Sequence, residues 1–179
     1  VTDKRGPFGV CQVRPGKPLI AAIEGHALAG GLELALSCDL IVAARDSTMG
    51  LPEVRWGLMA AGGGLFRLPQ RIPYHLAMEM LLTGKPQPAS QLQSWGLVNR
   101  LSEPGDALAA ALDLADEIVA CGPLAVATSA RLMREAVNWP DAEGWSLQQP
   151  DVDRIFTSND QAEGLAAFAE KRAPTWTNS

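Results

Sequence analysis

The sequence lacks the features of several protein classes. Of its 179 residues, three are cysteines and two are histidines, and the wide spacing of Cys11, Cys38 and Cys121 forms neither a zinc motif nor a disulfide framework, so we expect a reducing compartment. It also lacks the roughly 18 consecutive apolar residues of a membrane span and a secretory signal pattern. We therefore expect a cytoplasmic protein that has no membrane partner.

The chain has no excess of positive charge. It carries 15 basic and 20 acidic side chains, which gives a formal net charge of -5. No stripe dense in lysine and arginine occurs, and this argues against nucleic acid as a partner while leaving room for a local basic pocket that binds a phosphorylated ligand. The hydrophobic fraction of 47% is that of a globular chain, which excludes disordered and collagen-like classes.

The hydrophobic patterns predict an α/β structure for the N-terminal part of the chain and an all-helical structure for the C-terminal part. Residues 1–18 are rich in glycine and proline and predict a loop. Short apolar runs predict strands at 19–23, 40–44 and 97–101, with a helix at 32–36 between the first two. Helical spacing and stop signals predict helices at 74–82, 89–95, 107–119, 123–137, 145–156 and 160–171. We expect residues 140–144 to break the pattern and Asn159 to cap the last helix.

A pair of glycines and two glutamates are the first candidates for a site. Gly30 and Gly31 stand at the start of the 32–36 helix, where unsatisfied backbone amides can bind an oxyanion, although close packing of a helix on a strand also explains them. Glu33 follows one turn later and Glu53 twenty residues after it, so one strand and two short turns can bring both carboxylates to one pocket for acid and base roles. The alternatives are that Glu33 is an acid that only interacts favourably with the helix dipole and that Glu53 is a solvated residue of a turn.

Other polar residues give weaker signals. Neither His26 nor His75 lies beside a nucleophile or in a metal-ligand spacing, so a packed or surface role is expected, and no metal site is predicted. Lys171 and Arg172 can meet a phosphate, or they can simply end a charged helix.

Residues 25–44 resemble the signature of a known family. The run reads GHALAGGLELALSCDLIVAA, and it is similar to the signature of the crotonase superfamily, the enoyl-CoA hydratase/isomerase family. Further matching segments follow in the same order at 50–53, 57–58 with 62–64, 80–84, 96–98 and 163–172. The resemblance extends from about Lys17 to Trp176.

The resemblance implies a fold and a set of roles. The fold is α/β, a crotonase-like (ClpP/crotonase) spiral of ββα units followed by a C-terminal all-helical region, with the spiral core and its active-site loops at 1–104 and a helical trimerisation region at 105–179. In the family, the amide that matches Gly30 stabilises an enolate-like transition state as one of two donors. The positions of Glu33 and Glu53 hold and activate water in the hydratases.

The implied activity is hydration of a trans-2-enoyl-CoA to a 3-hydroxyacyl-CoA. Isomerases of the family rely on a carboxylate at the second position, so Glu33 favours hydration, with an isomerase or another crotonase-type CoA-thioester enzyme as the alternative. Glu53 would transfer a proton at the α-carbon, and Gly30, Gly31 and Lys171 would contact the substrate. CoA enters as part of the acyl-CoA substrate and no separate cofactor is implied. A homotrimer or homohexamer in fatty acid β-oxidation is expected.

Three departures from the family pattern stand out. Ala29 replaces a common third glycine, and Ala60 with Ala61 replaces a more usual Pro-Gly beside the acyl pocket. In the family a further N-terminal portion precedes the region of Lys17 and supplies the second oxyanion amide and most CoA contacts. We therefore expect the sequence to begin partway into a larger fold. The alternatives are a non-catalytic crotonase-like fragment or oligomerisation partner, and a ClpP-like protease, which the two histidines do not support.

Overall fold

The computed structural model describes residues 4–13 and 15–179, and in them two small sheets are formed by strands between residues 20 and 102. The first has the strand order β1 (Ile20–Ile23), β3 (Leu40–Ala44) and β6 (Arg100–Ser102), and its neighbouring strands are parallel. In the second, β2 (His26–Leu28) runs parallel to β4 (Thr48–Gly50), and β4 runs antiparallel to β5 (Gln87–Pro88). Successive strands therefore alternate between the sheets as far as β4.

Helices make up most of the rest. The first four α-helices lie among the strands, and the last four follow β6. They are α1 (Gly30–Ser37), α2 (Gly64–Arg67), α3 (Tyr74–Thr83), α4 (Ala89–Ser94), α5 (Ala107–Val119), α6 (Pro123–Ala136), α7 (Asp141–Phe156) and α8 (Asn159–Glu170). Short 3₁₀-helices cover Pro7–Gly9, Glu53–Trp56 and Leu68–Gln70.

The core lies between the sheets and the helices packed on them. Residues 41–44 of β3 are all buried, as expected for a strand covered on both faces. Leu32 and Leu36 of α1, Met49 of β4 and Met80 of α3 are almost fully buried in the same cluster. Burying each such side chain contributes about 1.5–3 kcal/mol, so this cluster stabilises the packing of α1 in the core.

The chain divides into two compact units, Val1–Leu114 and Ala115–Ser179. All strands among the described residues belong to the first unit, and the second consists of helices and a short tail. The assignment of residues 105–179 to trimerisation stays a prediction. Among the described residues, none of the helices has the length and apolar character needed to cross a bilayer.

Most of the elements predicted for residues 1–119 are confirmed, but α2 and several short strands occur where none was predicted. β3 and α5 have the predicted bounds, and a strand, a helix and a parallel strand occur in the predicted order. The strand predicted at 97–101 is wrong in position, since β6 begins at Arg100. The side chain of Asn99 accepts from the N–H of Ile41 at 2.8 Å and leads the chain into the sheet. β2, β4 and β5 were not predicted, because two or three residues are too few to show a period.

Two predictions about the last helices are wrong. α7 begins at Asp141, directly after Pro140, and not near residue 145, because Asp141 and Glu143 in the first turn favour a helix start. Ser158, and not Asn159, caps α8, since its hydroxyl accepts from the N–H of Gln161 at 3.1 Å.

Candidate active site

The candidate site surrounds the start of α1. Ala29, just before the helix, has φ 51° and ψ -123°, a conformation that favours glycine. Its N–H donates to the carbonyl of Gly50 at 2.9 Å, which joins the start of α1 to the end of β4. The first N–H groups of a helix have no acceptor within it. Gly30 therefore presents a backbone N–H at the positive end of the helix dipole.

The two predicted glycines differ in their surroundings. A Cβ atom built on Gly30 would lie 2.6 Å from Cζ of Phe8, so the aromatic ring packs directly against the glycine backbone. At Gly31 a Cβ would meet Ala27 at 3.9 Å, an ordinary contact. The close approach at Gly30 is thus to the ring of Phe8 and not to a strand, and the contact of Gly31 with Ala27 of β2 is an ordinary one, so close packing of a helix on a strand does not explain the pair.

Glu33 is a buried carboxylate held by backbone amides. Its side chain projects from the first turn of α1, and the residue is 5% exposed. Oε1 accepts from the N–H of Gly62 at 2.6 Å and from the N–H of Gly64 at 3.0 Å. Two amide donors compensate a buried carboxylate for its lost water. The helix-dipole alternative alone does not explain this long-range contact.

The loop that binds Glu33 depends on glycine at three successive positions. A Cβ on Gly62 would lie 2.6 Å from Oε2 of Glu33, and one on Gly64 would lie 2.9 Å from Cδ1 of Leu51. Gly63 has φ 113°, which side-chain-bearing residues rarely adopt. The cluster 62–64 therefore lets the backbone approach the carboxylate closely enough to donate two hydrogen bonds.

Glu53 has the opposite environment. It begins the 3₁₀-helix after Pro52, and its Oε2 is buried with no hydrogen-bond partner among the described residues. A buried polar atom without a partner is costly, and such atoms call for an explanation such as a ligand or a catalytic role. The predicted solvated turn residue does not describe this oxygen.

Two contacts bring the segments that carry Glu33 and Glu53 close together. Gly64, whose amide binds Glu33, packs against Leu51, and Leu51 stands two residues before Glu53 in the chain. The bond between Ala29 and Gly50 joins the same two segments one residue earlier. The loop after β4 thus returns beside the first turn of α1.

Sequence reasoning missed Arg67, the last residue of α2. Its guanidinium contacts three separate segments: Nη1 donates to Oγ of Ser37 at 3.1 Å and to the carbonyl of Gly62 at 3.3 Å, and Nη2 donates to the carbonyl of Cys11. An arginine that follows a glycine cluster carries no distinctive pattern, so only the three-dimensional contacts identify it.

The remaining candidates take no part in these contacts. Lys171 directly follows α8 in the second unit, has φ 55° and is exposed. Its neighbour Arg172 binds Glu163 and Glu170. His26 and His75 are exposed, as expected for a surface role, and Nδ1 of His26 lies 2.8 Å from Oγ1 of Thr48. Among the described residues, His, Cys, Asp and Glu side chains form no group of three that could hold a metal.

A small pocket, partly open to solvent, adjoins the glycine loop. Its wall is largely apolar, and Gly64 and Leu51 belong to it as well as to the Glu33 environment. The lining residues are Leu51, Gly64, Leu65, Leu68, Pro69, Tyr74, Ala77, Met78 and Leu81.

The known proteins to which the sequence is similar are named as enzymes that act on CoA thioesters. The sequence profile of the enoyl-CoA hydratase/isomerase family matches residues 12–179. An enoyl-CoA hydratase of Mycobacterium tuberculosis is 43% identical over 182 residues, which cover 98% of this chain and 68% of the relative. The carnitinyl-CoA dehydratase of Proteus mirabilis is 40% identical over 164 residues, which cover 89% of this chain and 63% of the relative. The chain thus spans about two thirds of the length of these curated relatives.

Solved structures agree along the whole chain. The crystal structure of an enoyl-CoA hydratase from Mycobacterium tuberculosis H37Rv superposes with a TM-score of 0.98 at 54% identity, covering 100% of this chain and 71% of that one. That of a probable enoyl-CoA hydratase/isomerase from Mycobacterium abscessus gives 0.92 at 51% identity, covering 96% and 68%. The predicted crotonase-like fold is confirmed. The chain belongs to the enoyl-CoA hydratase/isomerase family of the crotonase superfamily.

Proposed function

We propose that the protein hydrates a trans-2-enoyl-CoA to a 3-hydroxyacyl-CoA. The observation that carries the proposal is the difference between the carboxylates of Glu33 and Glu53, whose segments are joined near the start of α1. Glu33 is fixed by two amides through Oε1, and Glu53 has a buried oxygen that lacks a partner in the described part of the chain. Two carboxyl groups in different environments suit separate base and acid roles.

In the proposed reaction Glu33 handles water. Both amide bonds fall on Oε1, so we assign Oε2 to a water molecule. The oxygen of this water bonds to C3 while Glu33 takes one of the water's protons. The electrons of the C2–C3 double bond move toward the thioester carbonyl. The N–H of Gly30 stabilises the negative charge that develops on that carbonyl oxygen.

Glu53 completes the addition. The enolate collapses, and C2 takes a proton from the carboxylic acid of Glu53. At the end Glu33 holds one proton more and Glu53 one fewer, and exchange with solvent resets both groups. A partly buried carboxyl that lacks a fixed partner is suited to deliver and regain a proton, because no donor competes for its oxygen.

Further contacts with the substrate are part of the proposal. Gly31 follows Gly30 on the helix start and would lie along the thioester. We assign Lys171 to the phosphates of CoA, since Arg172 already binds two carboxylates. CoA enters as part of the substrate, and no separate cofactor is required. The apolar pocket beside Gly64 suits an alkyl group.

The family resemblance extends the proposal to assembly and setting. Large apolar side chains are exposed on the helices of the second unit, including Met133 (77%), Trp145 (78%) and Phe168 (85%). Such surfaces are typical of protein contacts. We infer that the protein forms a homotrimer or homohexamer and that it acts in the cytoplasm, in fatty acid β-oxidation. Light scattering coupled to size-exclusion chromatography measures the number of subunits.

Isomerisation of an enoyl-CoA is the second candidate, because the partnerless oxygen of Glu53 can also move a proton between carbons without water. The same carboxylates can run dehydration, the reaction in the name of the Proteus mirabilis relative. A protein that only pairs with other subunits would catalyse neither reaction.

Loss of the conjugated enoyl-thioester absorbance with crotonyl-CoA tests the proposal. We expect the intact protein, verified by mass, to remove this absorbance at a rate proportional to enzyme concentration, and Glu33→Gln and Glu53→Gln to lower kcat by orders of magnitude. A wild-type rate equal to background would overturn the proposal. An unchanged loss of absorbance with Glu33→Gln would favour the isomerase assignment, because isomerisation also removes the conjugation and needs no water from Glu33.

A further inference from the structure

Arg67 contacts the same glycine loop as Glu33. The N–H of Gly62 donates to Oε1 of Glu33 at 2.6 Å, and the carbonyl of the same residue accepts from Nη1 of Arg67 at 3.3 Å. A Cβ on Gly63 would collide with that Nη1 atom. The loop is therefore held between a carboxylate and a guanidinium, with its glycine backbone in direct contact with both.

The same guanidinium is linked to the helix that carries Glu33. Nη1 of Arg67 donates to Oγ of Ser37 at 3.1 Å, and this fully buried hydroxyl donates to the carbonyl of Glu33 at 2.9 Å. Nη2 extends the contact to the carbonyl of Cys11. One planar group thus fixes the glycine loop, α1 and the segment around Cys11 relative to one another.

These contacts need the shape of arginine. The guanidinium presents two terminal nitrogens in a rigid plane, and here they donate in different directions. A lysine ammonium is a single point donor on a flexible stem and cannot span the same acceptors. The ring of Phe66, 5.1 Å from Cζ of Arg67, further restricts the guanidinium.

We propose that Arg67 is a positioning residue for Glu33, acting through the loop 62–64. It keeps the amides of Gly62 and Gly64 directed at Oε1, and so it fixes the direction of Oε2. The inference rests on the proposed hydration and assigns a role to a residue that touches neither the substrate nor a reacting atom.

Arg67→Met and Arg67→Lys test this role in the intact protein. Because misplacement of a catalytic group by about 1 Å can cost about 100-fold in rate, we expect Arg67→Met to lower kcat for crotonyl-CoA hydration by about that factor while KM stays within about threefold. Arg67→Lys should recover little of the loss. Arg45→Met is the matched control, since Arg45 pairs with Glu103 on the surface, and its kcat should be unchanged.

Amide hydrogen exchange supplies a readout that does not depend on activity. We expect the amides of Gly62 and Gly64 to be protected in the wild-type protein and to exchange at least about tenfold faster in Arg67→Met, and in Arg67→Lys if the first variant does not fold. Unchanged protection, an unchanged kcat, or a loss confined to KM would overturn the proposal. A wild-type protein without hydratase activity would refute the proposed function, and the exchange comparison would still decide the role of Arg67.

Discussion

Glu33 and Glu53 are chemically alike, and their environments separate them. The carboxylate of Glu33 accepts hydrogen bonds from two backbone amides of a loop 29 and 31 residues further along the chain. Oε2 of Glu53 is buried without a partner among the described residues. The first arrangement holds a carboxylate in one orientation, and the second leaves an oxygen ready for a proton. This difference is the basis for assigning them different roles.

Gly62→Ala should disable Glu33 without removing it. The new Cβ would lie 2.6 Å from Oε2 of Glu33, so either the carboxylate or the loop must move. We expect kcat for crotonyl-CoA to fall by about 100-fold, measured from the loss of thioester absorbance. Gly144→Ala, on α7 with open space around its Cα, is the matched control and should keep the wild-type kcat. Wild-type activity of Gly62→Ala would contradict the described contact.

Ala29→Gly should stabilise the protein. Ala29 holds φ 51° and ψ -123°, and relief of this strain exceeds the added flexibility of glycine in the unfolded chain, so we expect a gain of about 1 kcal/mol. Urea unfolding measures it. Ala109→Gly, in the regular helix α5, should instead lose about 1 kcal/mol. A loss at both positions would show that position 29 is unstrained.

At the scale of elements, periodic segments and continuous apolar runs were predictable, and strands of two or three residues were not. The spacing of apolar residues predicted α5 to the residue, because thirteen residues show more than three turns. β2, β4 and β5 hold only two or three residues each and are defined by pairing with distant segments. The Ser158 cap differs from the predicted Asn159 by one position, a choice that the backbone conformation decides.

The candidate site divides in the same way. Gly30, Glu33 and Glu53 could be selected from local sequence, since a glycine pair opens a helix and acids follow at suggestive spacings. Arg67 could not, because its contact with Cys11 joins residues 56 apart. Such contacts depend on how the loops pack and leave no local signal.

Asp160 joins α8 to the C-terminal tail. The residue is 5% exposed, and its carboxylate accepts from the N–H groups of Thr177 and Asn178 and from the Thr177 hydroxyl. Asp160→Ala leaves these donors without a partner and should cost about 2–3 kcal/mol in urea unfolding. Asp113→Ala, on an exposed face of α5, should change stability by less than about 0.5 kcal/mol. An equal effect of both variants would contradict this account.

For the whole molecule, acid should weaken the folded state partly through Glu163. The Arg172 side chain, followed by the Thr175 N–H, lowers the pKa of Glu163 from its ordinary 4.5 to about 2. The unfolded chain therefore binds a proton at higher pH than the folded one, and the stabilisation is complete above about pH 5 and lost as the pH falls toward about 2.

Glu163→Gln removes this contribution. The difference in unfolding free energy between wild type and variant should be largest near neutral pH and shrink as the pH falls from about 5 to about 2. High salt should reduce the difference, because the Arg172 pair is partly exposed. A difference that does not change with pH would contradict the lowered pKa.

The central claim is that a water molecule held by Glu33 adds to C3 of an enoyl thioester. Its most direct test is mass spectrometry of the product formed from crotonyl-CoA in ¹⁸O-labelled water by the intact protein and by Glu33→Gln. The account predicts a 3-hydroxyacyl-CoA that carries the labelled oxygen at C3 with the wild-type protein, and almost none with Glu33→Gln. A wild-type product without solvent oxygen, such as a 3-enoyl-CoA, would contradict it.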